Sequence, residues 1–114
     1  MRRRAVAHGV PLGEQRYAQR ERSDGIWLSW QLTEPDPLVA DGVIPFFIDW
    51  GASPHPSGPA PHGATLVDMH VEHPDAAHVR RMLDALDLGV PVIEAVNAAV
   101  VAVIDGPRGR IELR

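Results

Sequence analysis

The sequence predicts an α+β domain in which one order of elements is used twice. Three observations carry this prediction. The segment PDAAHVRRMLDALDLG, residues 74–89, holds Val79, Met82, Leu83 and Leu86 at i, i+3, i+4 and i+7, one stripe of a helix. Several shorter runs alternate apolar and polar residues with period two, the pattern of half-buried strands. A polar, proline-rich stretch, GASPHPSGPAPHG at residues 51–63, separates an αβββ half at residues 1–50 from a βαβββ half at residues 64–114. The first half follows the order of the second but lacks its opening strand.

Within the first half, RRRAVAH (residues 2–8) has weak helix propensity and is stopped by Gly9-Val10-Pro11. GEQRYAQRE (13–21) is polar, with Tyr17 its only large apolar group, and reads as an exposed edge strand or an arm. Ser23-Asp24-Gly25 is a turn signal. IWLSWQLT (26–33) alternates, with Leu28, Trp30 and Leu32 on one face, and is a strand. EPDPLVADG (34–42) is a loop, because its prolines and Asp-Gly oppose regular structure. VIPFFIDW (43–50) is apolar on both faces, so it is expected to be central or covered on both sides. Pro45 removes one ladder donor from it.

In the second half, ATLVDMHVEH (64–73) places Leu66, Asp68, His70 and Glu72 on one strand face and Val67, Met69 and Val71 on the other. A helix then runs from about Ala76 to Leu88. Asp75 caps its start, and Gly89 is placed to close its end in the left-handed conformation. VPVIEAV, AAVVAVID and RIELR read as the remaining strands, and Gly106-Pro107-Arg108-Gly109 turns the chain before the last. On the last strand, alternation places Glu112 on the same side as Asp68 and packs Ile111 and Leu113 under the helix.

Composition excludes several classes of function. A formal net charge of −4 gives no global field toward nucleic acid or an anionic membrane surface. No apolar run approaches the roughly 20 residues of a membrane helix. The basic opening MRRRAVAHGV lacks the apolar core of a secretory signal, so a cytoplasmic location is expected. The absence of cysteine excludes disulfides and thiolate chemistry. All six aromatic residues (Tyr17, Trp27, Trp30, Phe46, Phe47 and Trp50) lie in the first half, so the second builds its core from aliphatic groups.

Four stretches, SDGIWLSWQLT, DGVIPFFIDWGASPHPS, VEHPDAAHVRRMLDALDL and GPRGRIELR, resemble in order and spacing the glyoxalase-like domains of the vicinal oxygen chelate superfamily. That resemblance implies paired βαβββ modules whose sheets curl around a cleft. It implies binding of a small organic molecule there, and a divalent metal serving a lyase, isomerase or dioxygenase. The same fold also serves non-catalytic proteins, so a structural or interaction protein is the alternative.

The superfamily's metal ligands come from the first and last strands of each module. Here those positions match Asp68 and Glu112, with His70 two residues along on the face of Asp68. The first module offers only Pro45 or Phe47 at its corresponding place, and neither binds metal. Trp30, Phe47, Asp49, Trp50 and His55 are the candidates for contact with an organic ligand. Asp49 also reads as a partner for loop amides at the end of its strand, and Trp50 as packing over the module junction. A module without its first strand leaves unpaired backbone at a sheet edge. A homodimer is therefore expected, in which strands or aromatic residues of the first half meet a second chain.

Overall fold

A computed structural model describes Ala7 and residues 9–114. The helical fragment expected over residues 2–8 falls almost wholly outside the described residues. The described residues form an α+β arrangement of two sheets and one α-helix. Strands β1 (Gln15–Glu21), β2 (Trp27–Thr33) and β3 (Ile48–Asp49) make a three-stranded sheet in that order. Strand β4 (Thr65–His73), helix α1 (Ala76–Ala85) and strands β5 (Val92–Glu94), β6 (Ala99–Gly106) and β7 (Gly109–Leu113) make the βαβββ unit, with sheet order β5-β4-β6-β7. Only β4 and β5 pair in parallel, with α1 as the crossover between them.

The hydrophobic stripe of α1 does what its spacing predicts. Val79, Met82, Leu83 and Leu86 are all buried, and Val71 of β4 and Val92 of β5 pack with them. The other side of this core is the first half: Val10, Leu12, Val43 and Ile44 complete it. The helix is thus held between its own sheet and two irregular segments of the preceding half. Asp75 caps α1 by accepting from the His78 N–H at 3.2 Å. The helix ends earlier than expected, and Asp87 (φ 57°), not Gly89, takes the left-handed position. Leu88 N–H then reaches back to the Leu83 carbonyl at 2.9 Å, and Leu88 folds against the core. Closing one turn sooner is what lets Leu88 do this.

Three other expectations are corrected. The run VIPFFIDW is not a central strand: only Ile48–Asp49 pair, at the sheet edge beside β2, which is the central strand. Its apolar start goes into the core around α1 instead, and Pro45, without an N–H, follows at the point where the chain leaves that core. A bulge between Leu66 and Asp68 shifts the register of β4, so Leu66 opposes Ile104 while Asp68 opposes Val103. Leu66 therefore shares a face with Met69 and Val71, not with Asp68. Finally, α1 packs chiefly over β5 and β4. Ile111 and Leu113 of β7 lie on the helix side of the sheet but beyond the helix, 54% and 50% exposed.

One close approach fixes a glycine. A Cβ on Gly13 would stand 2.1 Å from the Glu34 carbonyl oxygen, where the chain crosses before β1 and after β2. No larger residue fits without moving backbone.

Candidate functional site

The expected ligand residues separate into two groups. Trp30 on β2 and Trp50 just after β3 meet with ring centroids 5.0 Å apart and planes at 46°. His55 stands edge-on to Trp50 at 5.8 Å. The strand register explains the first contact: Gln31 pairs with Asp49, so the next residues, Trp30 and Trp50, lie side by side. The loop is tied down by Ser53, whose Oγ donates to the Ser29 carbonyl and accepts from the Ser29 N–H, both at 2.9 Å. This clasp holds Trp50 and His55 against β2. In His55, Nδ1 accepts from the Ser57 N–H at 3.1 Å, so Nε2 is the nitrogen that carries the proton in the neutral ring.

Both indoles are half-buried, and Asp49, Tyr17 and Gln31 join them around a shallow hollow of about 120 Å³. Asp49 Oδ1 accepts from the Gly51 N–H at 2.8 Å, so its carboxylate shapes the turn that carries Trp50. Phe47 belongs elsewhere: it packs against the core around α1, and its N–H donates to Thr33 Oγ1.

The expected metal ligands share one face of the second sheet. Asp68, Val103 and Glu112 form a row across β4, β6 and β7, and His70 opposes Val101 in a neighbouring row. Glu112 therefore faces the same side as Asp68. One whole strand separates them, roughly 10 Å between backbones at normal strand spacing. Two acids of this face, Glu72 and Glu112, are also engaged. Arg114 Nη1 donates to Glu72 Oε2 at 2.8 Å and Arg114 Nε to Glu112 Oε1 at 3.1 Å. His70 Nε2 lies 3.5 Å from Glu72. Among the described residues, no three His, Asp or Glu side chains converge as a metal centre needs. As one chain presents them, Asp68, His70 and Glu112 do not fit a divalent ion.

A second constellation was not visible in the sequence. His73, 8% exposed at the end of β4, has its Nε2 3.0 Å from Asp41 Oδ2. Its Nδ1 accepts from the Asp75 N–H at 2.9 Å, so Nε2 carries the proton and donates to Asp41. Ala40, Asp41 and Gly42 all have positive φ (48°, 56° and 88°), and this turn brings Asp41 over the start of α1. A groove of about 530 Å³ runs between the turn and the helix, lined by Leu38, Asp41, His73 and His78 among others. Both imidazole nitrogens are engaged, so His73 has no lone pair to offer as a base. It clasps the 40–42 turn to the helix start. Residues 41 and 73 are 32 positions apart, and no sequence spacing links them. His73-Pro74-Asp75 signalled only that a helix begins there.

No curated protein and no solved structure matches the chain. The family model for the glyoxalase-like domain matches residues 1–86, through the aromatic pair, the loop beyond it and the whole of α1. With that match spanning three-quarters of its length, and with a βαβββ unit beside an incomplete second one, the chain belongs to the glyoxalase-like domain family.

Proposed function

We propose that this domain binds a small planar organic molecule on the Trp30–Trp50 platform. The observation that carries the reading is the pair of half-buried indoles at 5.0 Å, clamped in place by Ser53 rather than sealed into a core. A planar ligand gains stacking from either ring. The His55 Nε2–H supplies a donor for a carbonyl or carboxylate on its rim. The hollow is shallower than the roughly 300 Å³ at which small-molecule pockets begin. One face of the ligand is therefore bound here, and a second wall comes from a moving loop or another chain. Metal-dependent chemistry through Asp68, His70 and Glu112 would need donors from outside this chain, so no catalytic step is assigned.

The test is a fragment screen by ligand-detected NMR, followed by titration of the tryptophan fluorescence. Trp50→Ala should weaken binding of a planar hit about tenfold, the loss of one stacking partner worth about 1–1.5 kcal/mol. Trp27→Ala, at an exposed residue, should leave affinity unchanged. Equal affinity in both variants, or no planar molecule bound at millimolar concentration, contradicts the reading.

A further inference from the structure

One edge of the second sheet, strand β7, carries three independent features that select one partner and one register. The edges of the first sheet are blunted: β1 carries Arg16, Arg20 and Glu21, and β3 is two residues long. β7 differs. Among the described residues it is an edge strand of its sheet, all five of its residues are exposed, and Ile111 and Leu113 lie on the helix side of the sheet in the part that α1 does not reach.

The first feature is hydrogen-bond phase. The turn Pro107-Arg108 makes Gly106 and Gly109 the closing, mutually bonded pair of the β6–β7 hairpin. Gly109, Ile111 and Leu113 therefore direct their backbone groups at β6. Arg110 and Glu112 direct theirs outward, to the free edge. The second feature is charge: those two outward-bonding residues bear opposite signs, on one face of the sheet. The third is shape. Gly109 has open space where a side chain would stand, at the rim of an apolar hollow of about 330 Å³ lined by Ala64, Ile104, Pro107 and Ile111.

We propose that β7 pairs antiparallel with β7 of a second copy of this chain, about a two-fold axis at Ile111. This register meets the phase requirement, because Arg110 and the second copy's Glu112 become a mutually bonded pair, twice by symmetry. It sets opposite charges against each other in both pairs. It also lays the second copy's Leu113 beside Gly109, over the apolar hollow. Ile111 meets its own counterpart on the axis. Sliding by two residues either way keeps the phase but sets Glu112 against Glu112 or Arg110 against Arg110. Like charges directly opposed destabilise a strand pair. The cross-chain pairs compete with Asp105 for Arg110 and with Arg114 for Glu112, but all these contacts are exposed and exchangeable. The result is an eight-stranded sheet with one closed interface.

Sedimentation of the full chain at micromolar concentration should show a dimer. Arg110→Glu and Glu112→Arg should each raise the dimer dissociation constant at least tenfold, and the double exchange should return it to within about threefold of the parent. The chain has no cysteine, so a single introduced thiol reports geometry directly. Ile111→Cys places two thiols at a non-hydrogen-bonded pair on the axis, where backbones are closest. It should give a covalent dimer on air oxidation, whereas Leu113→Cys, set opposite Gly109, should not. A monomer at 100 µM overturns the proposal. So does a dimer indifferent to both single charge changes, a double exchange no better than the singles, or equal cross-linking at positions 111 and 113.

Discussion

The two halves of this chain hold themselves together in different ways. The βαβββ half is self-sufficient in pattern: a capped helix lays one stripe on two of its four strands, and its last two strands, β6 and β7, pair through a two-residue turn. The first half has three strands but no helix of its own against them among the described residues. Its most apolar run gives only Ile48–Asp49 to the sheet, and its Val43 and Ile44 cross over to the helix of the other half. The apolar residues of an incomplete module are buried where a helix face is available, not where the linear order would put them. One core then serves both halves.

That comparison can be broken at its strongest point. Leu83→Ala removes a side chain that is 2% exposed, and should cost about 2–5 kcal/mol in denaturant unfolding. Ile44→Ala, in a segment with no regular structure, should fall in the same range, because its contacts are with the same helix. A cost below about 0.5 kcal/mol at Ile44 would mean that the halves have separate cores, since only surface sites are normally so tolerant.

The second half was legible and the first only in part, for a physical reason. Periodicity reports local alternation, and β2, β4, α1 and β6 are long enough to show it. VIPFFIDW reads as a buried strand because burial by a distant helix and burial within a sheet leave the same apolar run. The bulge at residues 66–68 is silent for a similar reason: an inserted residue does not disturb composition, only which face each later side chain joins. Of the candidate site, Trp30, Trp50 and His55 come together as residues of one strand pair and its loop, a short-range relation. The His73–Asp41 clasp is long-range and left no mark.

The clasp sharpens the comparison at intermediate scale, because it is a polar tie between the halves. His73→Ala should cost about 1–3 kcal/mol, removing a buried ring and leaving the Asp75 N–H without its acceptor. Asp41→Ala should cost less, since that carboxylate is 74% exposed. Unfolding midpoints in urea separate the two, and an Asp41 effect as large as that of His73 would make the His73–Asp41 hydrogen bond, not the buried ring, the tie.

The smallest effect lies within the first half alone. Arg22 beside Asp24, in the β1–β2 turn, holds the Asp24 carboxyl down to about 2 from 3.8. A depressed folded-state value favours the fold above 3.8, and the contribution is lost as pH falls through about 2. Asp24→Asn should therefore lower stability slightly at neutral pH and leave it unchanged well below pH 2, where the carboxyl is protonated in both states. A difference that persists there would assign the role to the turn's backbone hydrogen bonds instead.

A shared core makes the two halves one cooperative unit, and the residue distribution allows a direct test. All three tryptophans lie between residues 27 and 50, whereas α1 lies at residues 76–85. Equilibrium unfolding of one sample, followed by tryptophan fluorescence and by far-ultraviolet circular dichroism at 222 nm, reads the two halves separately, because the fluorescence signal arises only in the first. The account predicts a single coincident transition in both signals, with the same midpoint and slope. A fluorescence transition that is complete before the helical signal begins to fall would show that the first half opens on its own, and would contradict the shared core.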